Sequence, residues 1–208
     1  MSALPENILR ERCEPFYPQG WEWKPRCFKS AKPTVCGIGV NDGEYMTQYT
    51  VDGMHLYCPI YRAWVNMLGR CYSDKYQSNQ PTYIGCSVCD EWLRFSNFRS
   101  WMIMQDWYGK HLDKDLKAQC NKVYSPETCI FVKSQINLLI VDNASNRGQW
   151  PIGVCFNKPA NKFQANCSVP KLEGGASLKY LGLFDTPEEA HEAYKKYKQA
   201  LITFFSLW

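Results

Sequence analysis

Apolar positions recur at two different periods along this chain, and the change of period divides it. Ile60, Trp64, Leu68 and Cys71 share one face, with Tyr61, Val65 and Tyr72 beside them. That spacing predicts an amphipathic helix from Pro59, and proline is favoured at a first helical position. A polar stretch, Ser73 to Pro81, predicts a loop, and Thr82 to Gly85 leads out of it. Trp92, Phe95, Phe98 and Trp101 then recur at about every third position, which predicts a second helix over Asp90–Trp101. Two short runs, His111-Leu112-Asp113 and Ile130-Phe131-Val132, read as strands, and a helical pattern carrying Asn137 follows. Beyond a polar linker at 143–148 the period becomes two. Phe163, Ala165, Cys167 and Val169 face one way, and Lys162, Gln164, Asn166 and Ser168 the other. Strands are expected over Trp150–Phe156, Lys162–Val169 and Lys179–Phe184. A closing helix is expected with Ala190, Ala193, Tyr194, Tyr197 and Leu201 on one stripe, opened by the capping box of Thr186 and Glu189 with Pro187 between them.

The first 57 residues are harder to assign. Pro5, Pro15, Pro18, Pro25 and Pro33 interrupt any long element. Trp21, Trp23 and Phe28 suggest an extension draped over a core, while Lys24, Arg26, Lys29 and Lys32 leave a DNA-clamping arm open. Gly37 to Gly43 reads as a turn-rich lead to a short strand. No GK[ST] follows it, which argues against a phosphate loop.

Composition adds limits. The chain has 208 residues, 45% hydrophobic and 15% aromatic, enough for one or two packed domains. Its formal net charge of +4 permits a nucleic-acid partner without requiring one. No apolar signal region stands at Met1–Cys13 and no run is long enough to span a membrane, so an intracellular, membrane-free protein is expected. Eleven cysteines at irregular spacing argue against a disulfide framework and for reduced, buried thiols. Cys86 and Cys89 form a CxxC. Within 58–143 only Cys120 and Cys129 lie downstream, nine apart, so there is no second knuckle and structural Zn²⁺ is possible but not favoured. His55 and His191 have no carboxylate or cysteine context.

The stretch Lys110–Asn137 carries the candidate chemistry. A carboxylate at a strand end and an amide on a following helix can converge on one hard cation, which prefers oxygen ligands. His111-Leu112-Asp113-Lys114, then Tyr124-Ser125-Pro126-Glu127-Thr128-Cys129, Phe131-Val132 and Asn137 resemble the ββα-metal core of phage-type HNH endonucleases. The flanking helices extend the resemblance over 58–143, and the Trp92-Phe95-Phe98 pattern is typical of that family. The resemblance implies a Mg²⁺- or Mn²⁺-dependent endonuclease with Asp113 and Asn137 as metal ligands. The position that holds the general base in histidine-bearing members is Lys114 here. A protonated lysine is no base unless its pKa is strongly lowered. Alternation along a strand puts His111 and Asp115 on the face of Asp113, so His111 is the expected base, Asp115 a further ligand or catalytic group, and Lys114 a phosphate contact.

The last segment, 147–208, resembles the APETALA2-type DNA-binding domain through Gly153-Val154, Lys162-Phe163, Ala165, Leu181-Gly182, Phe184, Glu189-Ala190 and Ala193-Tyr194. The resemblance implies that a three-stranded sheet on one helix lies in the major groove of double-stranded DNA. Arg147, Gln149, Lys162 and Lys179 would be DNA contacts, and Gln164 and Asn166 would read base edges, adenine being the usual partner of such amides. The expectation is therefore an α+β chain: an extension over 1–57, a ββα-metal nuclease core with flanking helices over 58–143, and a small antiparallel sheet packed on one helix over 147–208. Its function would be DNA hydrolysis in the cytoplasm of a phage-infected bacterium. The alternative is an inactive nuclease core that acts by occupying DNA or contacting a host protein. A zinc module that binds protein partners is a third reading, resting on the CxxC alone.

Overall fold

The computed structural model describes residues 11, 13–26, 35–117, 121–140, 149–171 and 175–207. The chain is α+β and forms two compact units, Met1–Phe131 and Val132–Trp208. The polar stretch 143–148, expected to separate the domains, lies outside the described residues.

In the first unit β1 (Gln48–Val51) and β2 (Met54–Tyr57) form an antiparallel hairpin. Its turn is Asp52-Gly53, both at positive φ (48° and 78°), the backbone that a tight hairpin turn requires. Helix α1 (Pro59–Tyr72) starts behind Cys58, whose sulfur accepts from the Tyr61 N–H at 3.3 Å. Its buried stripe is Ile60, Trp64, Met67, Leu68 and Cys71, the expected face with Met67 added. Ser73 ends α1 and caps α2 (Asp74–Asn79), so part of the expected loop is helical. Strand β3 (Ser87–Val88) follows.

The helix expected over Asp90–Trp101 is two pieces. A 3-10 turn covers Asp90–Leu93 and helix α3 covers Phe95–Met102. The break has a cause: Val40 inserts its backbone there, taking the Leu93 carbonyl at 2.8 Å and receiving the Phe95 N–H at 3.0 Å. Asp42 then caps α3 from a distance, accepting the Ser96 N–H and hydroxyl, both at 2.8 Å. Gly39 allows this approach, because a Cβ there would stand 2.4 Å from Leu68 Cδ1.

Strand β4 (Lys110–Asp113) lies beside β6 (Ile130–Lys133), and β5 (Val123–Tyr124) pairs parallel with β3. Trp64, Trp92, Phe95 and Phe98 fill the centre, and Trp64 Nε1 donates to the Trp92 carbonyl at 2.7 Å. Cys13, Val35 and Tyr45 join this core, so the described residues ahead of Cys58 contribute to it. Tyr17 and Tyr45 approach the Cys58 sulfur at 3.0 and 3.2 Å, and burial holds both phenols protonated.

The second unit opens with the end of β6 and helix α4 (Ser134–Ile140). Strands β7 (Val154–Asn157), β8 (Lys162–Pro170) and β9 (Ala176–Phe184) form an antiparallel sheet in that order. Helix α5 (Pro187–Leu207) covers one face through Ala190 and Tyr194, and α4 packs on α5 and β8. The capping box forms as expected: Glu189 N–H donates to Thr186 Oγ1 at 3.2 Å and Thr186 N–H to Glu189 Oε2 at 3.3 Å. Gly153 lies under Tyr194, where a Cβ would stand 2.2 Å from the ring.

Candidate functional site

The site begins where β4 stops. Strand geometry ends at Asp113, and the chain bends through 114–117. Asp113 Oδ1 accepts the N–H groups of Asp115 and Leu116 at 2.9 and 2.8 Å, so the carboxylate holds the turn with one oxygen. A cation would meet its other oxygen, Oδ2. Because Asp115 lies beyond the strand, alternation does not apply to it, and the expected shared face reaches only His111 and Asp113.

Lys114 points inward and is buried. Its ammonium donates to Asp115 Oδ1 at 2.5 Å and to the Asn121 carbonyl at 2.7 Å, and lies 5.8 Å from the centre of the Tyr124 ring. Asn121 returns a bond to the Lys114 carbonyl at 3.1 Å. Lys114, expected to touch phosphate or carry chemistry, closes the loop with its ammonium in this fold. Asp115 is the partner in that ion pair.

His111 is exposed and lines a cleft of about 340 Å³ between α1 and β4. Arg62, Asn66 and Arg70 of α1 face this cleft, four residues apart and so on one side of the helix. Lys110 joins them from β4, and Met102, Trp107, Leu112 and Phe131 supply apolar lining. Arg70 is anchored, donating to the Leu112 carbonyl at 3.4 Å and lying over Tyr83. Lys110 pairs with Asp106 at 2.5 Å, while among the described residues no carboxylate lines the cleft itself. Three cations around a concavity attract an anion. The sequence pointed to Arg62 and Arg70 as flanking residues. It did not point to Asn66, Lys110 or Tyr108, although the spacing of four between Arg62, Asn66 and Arg70 was a usable signal.

The two expected metal ligands belong to different units: Asp113 ends β4 in the first, and Asn137 is half-buried in α4 of the second. Among the described residues no group of three or more His, Cys, Asp or Glu side chains stands close enough to hold a metal.

The CxxC brackets β3, with Cys86 buried and Cys89 half-buried. Cys89 N–H donates to the Tyr124 carbonyl at 2.9 Å, so the motif is held by strand pairing. Burial, with Cys86 adding to it, pushes the Cys71 thiol up to about 12. Burial also pushes Cys129 up to about 11 and raises Cys89. Such thiols stay protonated at neutral pH. Every cysteine among the described residues is a free thiol.

On the second unit, β8 presents Lys162, Gln164 and Asn166 on the side away from α5. The amides form a chain: Asn157 Nδ2 donates to Gln164 Oε1 and Gln164 Nε2 to Asn166 Oδ1, both at 3.0 Å. Lys162 pairs with Asp185 at 2.9 Å. Opposite Gln164, Asn166 and Ser168 stand Leu183, Tyr180 and Leu178, exposed by 37%, 53% and 73%. The face therefore mixes amides with apolar groups, which the alternation of β8 alone did not reveal. Lys179 pairs with Cys167 and so belongs to the opposite side of the sheet. Gln149 is exposed, and Arg147 lies outside the described residues.

No protein-family model, no curated protein and no solved structure matches this chain. Among the described residues no helix is long and apolar enough to cross a membrane.

Proposed function

We propose that the protein is a divalent-metal-dependent DNA endonuclease of the phage HNH kind, with a C-terminal APETALA2-like module that directs it to sequence, working in the cytoplasm of an infected bacterium. The observation that carries this reading is His111, exposed at the lip of a cleft lined by Arg62, Arg70 and Lys110, two residues before Asp113. The cleft's cations would hold a DNA phosphate. His111 would take the proton of the attacking water, a task that needs an accessible imidazole and is often worth about 10²–10⁴-fold in rate. Asp113 would hold the ion through Oδ2, an oxygen donor that suits Mg²⁺ or Mn²⁺ with the remainder from water and phosphate. The bound ion would supply charge neutralisation at the scissile phosphate.

The amide chain on β8 supports sequence-directed binding, since Gln164 and Asn166 are held in register toward the open side of the sheet. Leu183 and Leu178 beside them suit thymine methyl groups. The second reading, a DNA-binding protein without cutting activity that occupies DNA or engages a host protein, is favoured by the buried Lys114 at the position where other members carry the base. Incubation of the full chain with plasmid DNA in Mg²⁺, Mn²⁺ or EDTA separates the two. Metal-dependent nicking or linearisation supports the endonuclease. A DNA shift with no cutting in either metal transfers the conclusion to the second reading.

A further inference from the structure

We infer that a second cleft on the first unit takes an unpaired nucleobase of DNA, so that the favoured substrate is DNA with a single-stranded or extruded nucleotide. The inference rests on the proposal that the first unit holds DNA. This cleft, about 390 Å³, is lined by Phe16, Tyr17, His55, Tyr57, Arg62 and Tyr108, with two prolines. Among the described residues it carries no carboxylate. Arg62 lines both clefts, so a phosphate held there has its own base one sugar away, within reach of the aromatic walls.

The walls suit a flat ring. Tyr57 is 42% exposed and Tyr108 60% exposed, high values for aromatic side chains of a packed unit. Each has a second ring of the lining beside it. Phe16 lies against Tyr108 with ring centres 4.6 Å apart, and His55 neighbours Tyr57 at 6.2 Å. The Arg62 guanidinium lies 5.8 Å from the Tyr57 centroid, so cation and ring are already paired. Exposed, pre-positioned aromatics beside a cation are how proteins hold unpaired strands, because every base offers a π-face. A paired base inside a duplex has both faces covered and cannot enter. The mixed face of β8 and β9 would address duplex DNA, while this cleft would address a nucleotide that has left the stack.

The test uses the full chain in EDTA, so that no cutting intervenes, with anisotropy of short fluorescent probes: a mixed-sequence single strand, an abasic strand of the same length, a matched duplex and a duplex with one unpaired thymidine. The wild type is expected to bind the base-bearing strand more tightly than the abasic one, and the bulged duplex more tightly than the matched one. Tyr57→Ala and Tyr108→Ala are each expected to weaken the base-bearing strand by roughly tenfold, the size of one lost stack, and to leave the abasic strand unchanged. Tyr57→Phe and Tyr108→Phe should keep wild-type affinity. Equal binding of the base-bearing and abasic strands overturns the inference, as does an equal loss on both probes in the alanine variants. Cutting in Mn²⁺ is scored separately. A chain that cuts nothing yet discriminates the strands sinks only the endonuclease reading, and one that cuts but ignores bases sinks only this inference.

Discussion

Lys114 and Asn121 hold each other's backbone across the loop that follows β4: the lysine ammonium donates to the Asn121 carbonyl at 2.7 Å, and the Asn121 amide donates to the Lys114 carbonyl at 3.1 Å. A cation placed this way positions Asp113 by fixing the loop on its far side. Replacing Lys114 by Ala leaves the Asn121 carbonyl without its charged donor, a loss of about 1–3 kcal/mol. A lower thermal midpoint is expected, with cutting largely kept at temperatures well below it. Abolished cutting in a variant that melts like wild type would make Lys114 a catalytic group.

For His111 and Asp113 the expected signature is different. His111→Ala should slow cutting by about 10²–10⁴-fold and leave the melting temperature near wild type, because the ring is exposed. Asp113→Ala should abolish cutting while duplex binding survives. Single-turnover rates on a fixed DNA fragment, read with an electrophoretic shift on the same samples, check both. A normal rate for His111→Ala would remove it from the chemistry.

Specificity should reside in β8. Gln164→Ala is expected to relax discrimination between target and mismatched duplexes, because base contacts specify. Lys162→Ala should weaken all duplexes alike and reduce the slope of log affinity against log salt by about 1. Titrations at three salt concentrations distinguish them. Identical behaviour of the two variants would argue that this face does not read sequence.

Alkaline pH should destabilise the first unit. The Cys71 thiol stands at about 12 and Cys129 at about 11 in the folded chain, against an ordinary value of 9.0. Unfolding lets them ionise, so the stability linked to these thiols is complete below pH 9 and is lost as pH rises toward the folded values. Thermal midpoints should fall from pH 9 upward, and the fall should be shallower in Cys71→Ala.

Two glycines should respond in opposite directions. Gly39→Ala forces a Cβ to 2.4 Å from Leu68 Cδ1, with Trp64 next to it, and is expected to cost about 1–3 kcal/mol. Gly69→Ala, within α1 and with nothing near its Cβ position, should stabilise by about 0.5–1 kcal/mol. Denaturant melts of both variants give the comparison.

Those elements whose cause is local were readable from residues alone. The α1 stripe, the alternation of β8 and the Thr186–Glu189 capping box each depend on neighbours a few positions away. The break at Arg94 was not readable, because its cause is Val40, far away in the chain. The hairpin at Asp52-Gly53 has a local turn signal, but Tyr49 to Tyr57 shows no clean alternation to mark its strands. The inward turn of Lys114 had no sequence signal: a lysine after an aspartate looks the same whether its ammonium meets solvent or the Asn121 carbonyl. The cations of the cleft come from α1 and β4, and only their packing brings Arg62 beside Lys110.

Cys58 carries a last consequence. Its sulfur lies at the junction of Tyr17 from the leading segment, Tyr45 from the stretch before the hairpin, and the opening turn of α1. Anyone trimming this protein to a minimal fragment of the first unit would naturally start at Pro59, where the long helix begins. That cut would strip the helix of its cap and expose Ile60 and Trp64 to water. A useful fragment of the first unit must therefore begin ahead of Cys13, which shares that buried core.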